Sequence, residues 1–303
     1  MTTVFSPPPP AASHGHAPLP PIVCAIDDGY ATPLQALMRS LAAAHPDAVG
    51  ELHLLVVHHR LSQGSRTALT RVADELGLTI RLVAADGITV RGPVSGWVSP
   101  AVYLRLQLAE LLDLDGVILY LDADVLAVAD LRPLLRRPLH GAALAAVRDP
   151  RNPLVGGGIA LPGWRRLGVP AGRDYFNSGV MLMDLGQCRR TGLFERAAQF
   201  LADFPDEVRL WDQDALNVAA DDQWLRLDRR WNTFVLSPLV EQPGFVHTDT
   251  EPVMPLAQLL DDEHTAAVLH FAGSDKPWLP GYPAGPALQR YRSFLLATSE
   301  ASR

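Results

Sequence analysis

Lysine is almost missing from this chain. Of its 26 basic side chains one, Lys276 in "HFAGSDKPW", is a lysine and the others are arginines. Arginine serves wherever a generic positive charge suffices, so the single lysine either sits where a compact ammonium is wanted, as on a phosphate, or is there by chance. Cysteine is nearly as scarce. Cys24 lies in an apolar run and Cys188 opens a helical stretch, which fits a reducing, cytoplasmic setting and implies no disulfide. No apolar run approaches the roughly 18–20 residues of a membrane span. Acidic residues outnumber basic ones by 33 to 26, a net charge of −7. That balance excludes nucleic acid as the main partner, because a phosphate backbone needs a basic face.

Several catalytic signatures are absent too. No G-x-G-x-x-G follows the first strand, the sole lysine is outside any G-K-[ST], and H-E-x-x-H, G-x-S-x-G and paired C-x-x-C motifs do not occur. "GGG" at 156–158 reads as loop, and Ser178 in "FNSGV" has no base nearby and reads as structural. The N-terminus, "MTTVFSPPPPAASHGHAPLPP", lacks the charged start and apolar stretch of a signal peptide. Residues 1–20 are expected to be a flexible Pro/Ala-rich tail in which His14 and His16 are bystanders, and residues 21–303 a single domain.

What is present is a globular pattern, 48% apolar and 19% charged. "IVCAI", "ELHLLVV", "TIRLVAA" and "GVILYL" read as strands. Between them "PLQALMRSLAAAH", "GSRTALTRVADELG" and "AVYLRLQLAELL" read as helices. Strand and helix in alternation specify a Rossmann-like α/β fold, a mostly parallel central sheet flanked by helices. Downstream come a long loop after Pro150, a strand "FNSGVMLMDL", a helix "CRRTGLFERAAQFLADF", a short helix "DQDALNVAA", a last strand "AAVLHFAG" and a terminal helix.

Parallel sheets bind ligands at the carboxyl ends of their strands, and two acidic turns fall there, "DDGY" after the first strand and "DAD" after "VILYL". Asp122 and Asp124 are like charges one residue apart at the end of a buried strand. That is costly unless something neutralises them, and a divalent metal would. Carboxylates suit Mg²⁺, Ca²⁺ or Mn²⁺, and an added imidazole shifts the preference toward Mn²⁺. His270 ends its own apolar run as Asp122 does, so it is a candidate ligand; on the residues alone a surface or satisfied strand-end histidine is the commoner case.

A D-x-D turn after an apolar strand resembles two families. In haloacid-dehalogenase-type phosphatases the first Asp is a nucleophile, but there the motif stands near the N-terminus, and here it follows three strand–helix units. The other is the nucleotide-sugar transferases of the GT-A fold. In order, "AIDDGY", "YLRLQLAELL", "VILYLDADVLAVADLRPL", "DYFNSGVMLMDL", "LWDQDALN", "RWN" and "HFAGSDKPW" resemble the family 8 glycosyltransferases, among them bacterial lipo-oligosaccharide galactosyltransferases, general-stress-protein-like transferases and glycogenin.

The resemblance implies a retaining transferase with a GT-A fold that moves a hexose, glucose or galactose, from a UDP-sugar to an acceptor hydroxyl on a glycan, glycolipid or other molecule. It implies Mn²⁺, with Mg²⁺ as the alternative, held by Asp122, Asp124 and His270. Asp27 and Tyr30 match the uracil contacts, Arg105 an arginine beneath the D-x-D turn, and Gly273 and Lys276 the diphosphate clamp. Asn177, Asp212 and Gln213 match residues around the donor sugar, with Gln213 near its far face. An amide is a poor nucleophile, so front-face attack by the acceptor is expected. One position departs from the pattern: related bacterial enzymes often carry Asn where this chain has Gly29, which predicts weaker or shifted nucleotide binding. A catalytically silent nucleotide-sugar binder is a further alternative. Trp97 and Trp164 are candidate sugar platforms in the acceptor wall or ordinary loop packing. The terminal helix carries Leu295 and Leu296 beside Arg290 and Arg292, a weak membrane-surface signal that lacks a basic, aromatic-rich tail.

Overall fold

The computed structural model of the protein describes residues 17–85, 92–93, 99–247 and 254–296; His14, His16 and Trp97 lie outside these. The first units alternate as the periodicity requires: β1 (Ile22–Ile26), α1 (Ala31–Ala44), β2 (His53–His58), α2 (Gln63–Leu76) and β3 (Thr79–Ala84). β1 and β2 are runs of aliphatic residues buried along most of their length, the signature of parallel strands covered on both faces. Ser62 caps α2 by accepting the Ser65 amide, and Gly77 closes it.

The next segment departs from the sequence reading. "AVYLRLQLAELL" is not one regular helix. Residues Pro100–Gln107 wind as a 3₁₀ helix that hands over to a single α turn, α3 (Leu108–Leu111). The tighter winding goes with Arg105, whose Nε donates to the Val102 carbonyl three residues back while its Nη atoms reach into the interior. The chain continues through β4 (Val117–Leu121), β5 (Val125–Ala127), α4 (Arg132–Leu135), β6 (Leu144–Arg148) and, after a long loop, β7 (Phe176–Asp184). "CRRTGLFERAAQFLADF" divides into α5 (Leu185–Thr191) and α6 (Leu193–Asp203), because Gly192 takes a left-handed φ of 61°. α7 (Trp211–Ala220), β8 (Leu225–Arg226), β9 (Thr233–Phe234), α8 (Leu256–Thr265), β10 (Val268–His270) and α9 (Pro286–Leu296) complete the order.

Seven strands form the main sheet in the order β3-β2-β1-β4-β7-β6-β8. β3, β2, β1 and β4 are mutually parallel, and β7 alone runs against its neighbours β4 and β6. After β1 the chain steps outward to β2 and β3, then returns to place β4 on the other side of β1. The β1/β4 boundary is therefore the switch point where such sheets open a ligand crevice. A second, three-stranded sheet, β5-β10-β9, was not expected from the sequence. It pairs β10 antiparallel to β5 with His270 opposite Val125. α9 covers it, with Tyr291 fully buried against Phe271 and Leu295 turned into the same small core.

Candidate active site

The two sheets meet at the "DAD" turn. Asp122 leaves the end of β4, its amide donating to the Gly179 carbonyl on β7. Asp124 precedes β5, and the β5–β10 register brings His270 beside it. One ligand atom from each of Asp122, Asp124 and His270 fits within a set no wider than 4.8 Å, the one such group of three among the described residues. The backbone is shaped to this approach. A Cβ on Gly179 would lie 2.4 Å from His270 Cε1 and 3.0 Å from Asp122 Oδ2, so only glycine fits there.

The half-buried Asp122 accepts from Arg105 Nη2 at 2.8 Å and from the Tyr120 hydroxyl at 2.9 Å, both on Oδ1. Buried Asp124 accepts from Lys276 Nζ on Oδ2 at 2.5 Å; its Oδ1 has no hydrogen-bond partner and lies 3.4 Å from His270 Nε2. Burial pushes the Asp124 carboxyl up, but the Lys276 ammonium outweighs it and holds the group well below the usual carboxylate range. Arg105 is buried as well; burial works against its charge, yet Asp122 and Asp212 keep it firmly protonated. Three carboxylates thus face two cations. The excess negative charge, an orphaned carboxylate oxygen and an imidazole nitrogen aimed at it make a donor set that fits a divalent cation taking oxygen and one nitrogen.

A chain of side-chain amides fixes that imidazole. Ser178 N donates to Gln213 Oε1 at 3.0 Å, and Gly179 N donates to Asn177 Oδ1 at 3.0 Å, so backbone amides settle which end of each amide is oxygen. Asn177 Nδ2 then donates to Gln213 Oε1 and to Asp149 Oδ2, and Asn232 Nδ2 donates to Asn177 Oδ1. Asn232 Oδ1 is left to accept from His270 Nδ1 at 2.8 Å. The proton therefore sits on Nδ1, and the Nε2 lone pair points at the acidic cluster.

Asp212, at the start of α7, is held by Arg105 Nε and by the Ser178 hydroxyl, each at 3.1 Å. Burial, against the pull of Arg105 and with a push from Asp122, raises its carboxyl to about 6. Asp214 serves structure: it accepts the Leu161, Arg209 and Leu210 amides and the Tyr175 hydroxyl. Those bonds anchor the turn in which Trp211 holds a left-handed φ of 49°, a conformation bulky residues avoid.

A crevice of about 530 Å³ runs over this cluster, within the range of small-molecule sites. Its lining includes Tyr30, Arg105, Asp122, Asp124, Asn177, Asp212, Gln213, His270, Gly273 and Lys276, each singled out in the sequence. Tyr30 stands edge-on to Trp278, centroids 5.6 Å apart. Asp27 is placed differently: Ile26 and Tyr30 around it line the crevice, whereas its own Oδ1 accepts the Gly29 amide at 3.0 Å and caps that turn. Trp164 packs against the main core with Arg165 over its ring and does not line the crevice. The sequence reading missed Asp149 and gave Asn232 no role. The "RWN" motif contains Asn232, but nothing in the sequence flags Asp149. Ser178, read as structural, touches both Arg105 and Asp212.

The sequence profile of glycosyl transferase family 8 matches residues 21–280. The chain belongs to that family. Among family relatives, general stress protein A of Bacillus subtilis is 28% identical over 85% of this chain and 86% of its own length. Lipopolysaccharide 1,2-glucosyltransferase of Escherichia coli is 30% identical over 68% of this chain; the match spans 56% of that enzyme. The crystal structure of the galactosyltransferase LgtC in complex with donor and acceptor sugar analogues superposes with a TM-score of 0.70 at 27% identity, covering 90% of this chain and 94% of that one. The protein is thus a family 8 glycosyltransferase with the GT-A-like arrangement of sheet and Asp–Asp–His cluster. Among the described residues no helix is long and apolar enough to cross a membrane.

Proposed function

We propose that this family 8 glycosyltransferase moves glucose or galactose from a UDP-sugar to an acceptor hydroxyl, retains the anomeric configuration, and depends on Mn²⁺, with Mg²⁺ as a weaker substitute. The observation that carries the reading is the meeting of Asp122, Asp124 and His270 over a crevice, with Asp124 Oδ1 unpartnered and His270 Nε2 bare. These three residues would hold the ion. Bound there, it supplies Lewis-acid stabilisation of the charge that develops on the departing diphosphate. Lys276 and the Gly273 backbone clamp that diphosphate, Tyr30 stacks on the uracil with Asp27 at its edge, and Arg105 holds Asp122 from below. Asp212 receives hydroxyls of the donor sugar, and Asn177, whose amide is fully engaged, lies beside it and holds Gln213 and Asn232 in place.

Retention through a covalent intermediate requires a nucleophile on the far face of the sugar. Gln213 is ill suited: its Oε1 already accepts from Asn177 and from the Ser178 amide, and its Nε2 donates to Asp149. Attack therefore comes from the front face. The acceptor hydroxyl bonds to the anomeric carbon as the bond to the diphosphate oxygen breaks, and that oxygen takes the hydroxyl proton. The haloacid-dehalogenase phosphatase reading is not favoured, because the family 8 profile matches residues 21–280. A silent binder would have lost part of the ligand set. We place the reaction in the cytoplasm, a setting consistent with two buried, free cysteines.

The test is UDP release from a panel of UDP-sugars with and without Mn²⁺. Slow hydrolysis of one sugar nucleotide, abolished by EDTA and in Asp124→Ala, is the expected result. Failure of the protein to bind UDP–Mn²⁺ at all would overturn the reading.

A further inference from the structure

Three large apolar side chains stand exposed among the described residues: Ile159 at 58%, Val246 at 68% and Leu279 at 51%. The first two line the crevice, although their loops are 87 positions apart in the chain. Their exposure is built in. The Ile159 amide donates to Asn152 Oδ1 at 3.0 Å, and Asn152 is itself buried, its amide donating to Asp149 Oδ1 at 2.8 Å. A Cβ on Gly158 would lie 2.3 Å from that same Asn152 oxygen, so the neighbouring position admits only glycine. Across the mouth, the Val246 carbonyl accepts from Arg151 Nη2 at 2.8 Å, and the Arg151 guanidinium lies over Phe245. The Arg151 amide donates to Asp149 Oδ1 as well. One buried carboxylate thus sets both walls through Oδ1, while its Oδ2 accepts from Gln213 and Asn177.

This arrangement bears on the acceptor, and the argument rests on the transferase reading above. Tyr30, Gly273 and Lys276 mark the nucleotide end of the crevice, and Asp212 and Gln213 its middle. Ile159 and Val246 line the same crevice and belong to neither group, and Asp149 and Arg151 tie their two loops together. Two branched aliphatic side chains offer a sugar ring neither a stacking face nor a hydrogen bond, and would desolvate its hydroxyls without compensation. They suit an apolar group, since clefts that take small molecules hold the apolar part of a ligand against apolar side chains. We propose that Ile159 and Val246 clamp the aglycone of the acceptor, so that the acceptor hydroxyl belongs to a glycoside carrying an alkyl or aryl group and not to a free polar oligosaccharide.

The experiment compares methyl, octyl and phenyl glycosides of glucose and galactose as acceptors with UDP-glucose and UDP-galactose in Mn²⁺, following transfer and, by calorimetry, binding to the UDP–Mn²⁺ complex. Octyl or phenyl glycosides are expected to show a KM at least about tenfold below that of the methyl glycoside of the same sugar, the scale of burying one aliphatic contact. Ile159→Ser and Val246→Ser should collapse that ratio toward one, and Ile159→Leu should keep it. A preference confined to octyl or to phenyl names the source as alkyl or aryl. Equal KM values in the wild type, or a ratio untouched in both serine variants, overturns the clamp. So does a panel in which no glycoside is bound or used while UDP-sugar hydrolysis continues, which leaves the transferase reading standing. Loss of hydrolysis together with UDP–Mn²⁺ binding overturns both.

Discussion

Two buried histidines sit at opposite functional extremes of this molecule. His45 ends α1 in the interior; its Nδ1 donates to the Leu41 carbonyl at 2.7 Å and its Nε2 accepts the Leu131 amide at 2.8 Å. The Asp130 carboxylate is 3.4 Å away, but a nitrogen that accepts an amide proton carries none of its own, so the contact is no salt bridge. His270 is equally hidden and has its Nδ1 equally fixed, by Asn232, yet its Nε2 faces a carboxylate oxygen with no hydrogen-bond partner. Burial alone therefore does not tell a structural histidine from a ligand. The difference is whether the surrounding backbone closes the second nitrogen or leaves it open toward an unpaired charge.

The largest effect is expected where the open site is broken. Asp124→Ala or His270→Ala should lower transfer by about a thousandfold or more, the scale of losing the charge stabilisation a metal gives a leaving group. Calorimetric Mn²⁺ binding should vanish with it. The melting temperature without metal should fall as well, since Asp124→Ala strands the buried Lys276 ammonium and His270→Ala strands Asn232 Oδ1 and opens a cavity, so transfer is compared on the folded fraction. A His270→Ala protein that binds Mn²⁺ and turns over normally would erase the distinction between the two histidines.

Asp212 gives the next effect and a pH signature. Its carboxyl rises from 3.8 to about 6 on folding. Between these values the folded protein holds a proton that the unfolded chain has released, so this residue's contribution to stability is complete below pH 4 and is lost as pH rises through 6. Function runs the other way, because the ionised form pairs with Arg105 and can accept from sugar hydroxyls. Transfer should fall as pH drops through about 6, and Asp212→Asn should remove that limb while lowering the plateau by about a hundredfold. A wild-type profile flat from pH 5 to 8 would contradict this.

How far these features could be read from the sequence follows the range of the interactions. β1 through β3 and their helices were legible because apolar periodicity is local, and the "DAD" turn because two carboxylates after an aliphatic strand are conspicuous. β10 was read as a strand within "AAVLHFAG", but the three-residue β5 carries no pattern of its own, and their pairing joins residues more than 140 positions apart. The split at Gly192 was missed because glycine inside a helical pattern also occurs where the helix runs on. Asp149 and Asn232 were illegible as positioning residues, since a lone polar residue acquires its meaning only from the partners that tertiary structure brings to it.

Asn232 narrows the comparison to a single hydrogen bond. Replacing it by alanine leaves Asp122, Asp124 and His270 in the sequence but frees the imidazole to protonate either nitrogen. Loss of such an orienting partner weakens metal binding by about 10–100-fold. Asn232→Asp should recover only part of the affinity, because its carboxylate accepts from Nδ1 but sets an oxygen against Asn177 Oδ1 where the amide donated; a purely structural role would leave it no better than the alanine variant. Titration with Mn²⁺ reads the difference directly.

His45→Ala should produce the smallest effect on catalysis and a clear one on stability. Removing the ring leaves the Leu41 carbonyl and Leu131 amide without their partner, at about 1–3 kcal/mol for a buried group left unsatisfied. A cavity where a fully buried ring stood adds to that, so the melting temperature should fall by several degrees. The effect on turnover is expected to stay within about twofold for the folded fraction, since perturbations at separated sites without shared partners are close to independent. The measurement is kcat at a temperature well below the transition, with Mn²⁺ affinity on the same samples. If both fell as they do in His270→Ala, the closed histidine would be coupled to the open one through α1 and β5, and the two regions would have to be treated as one site.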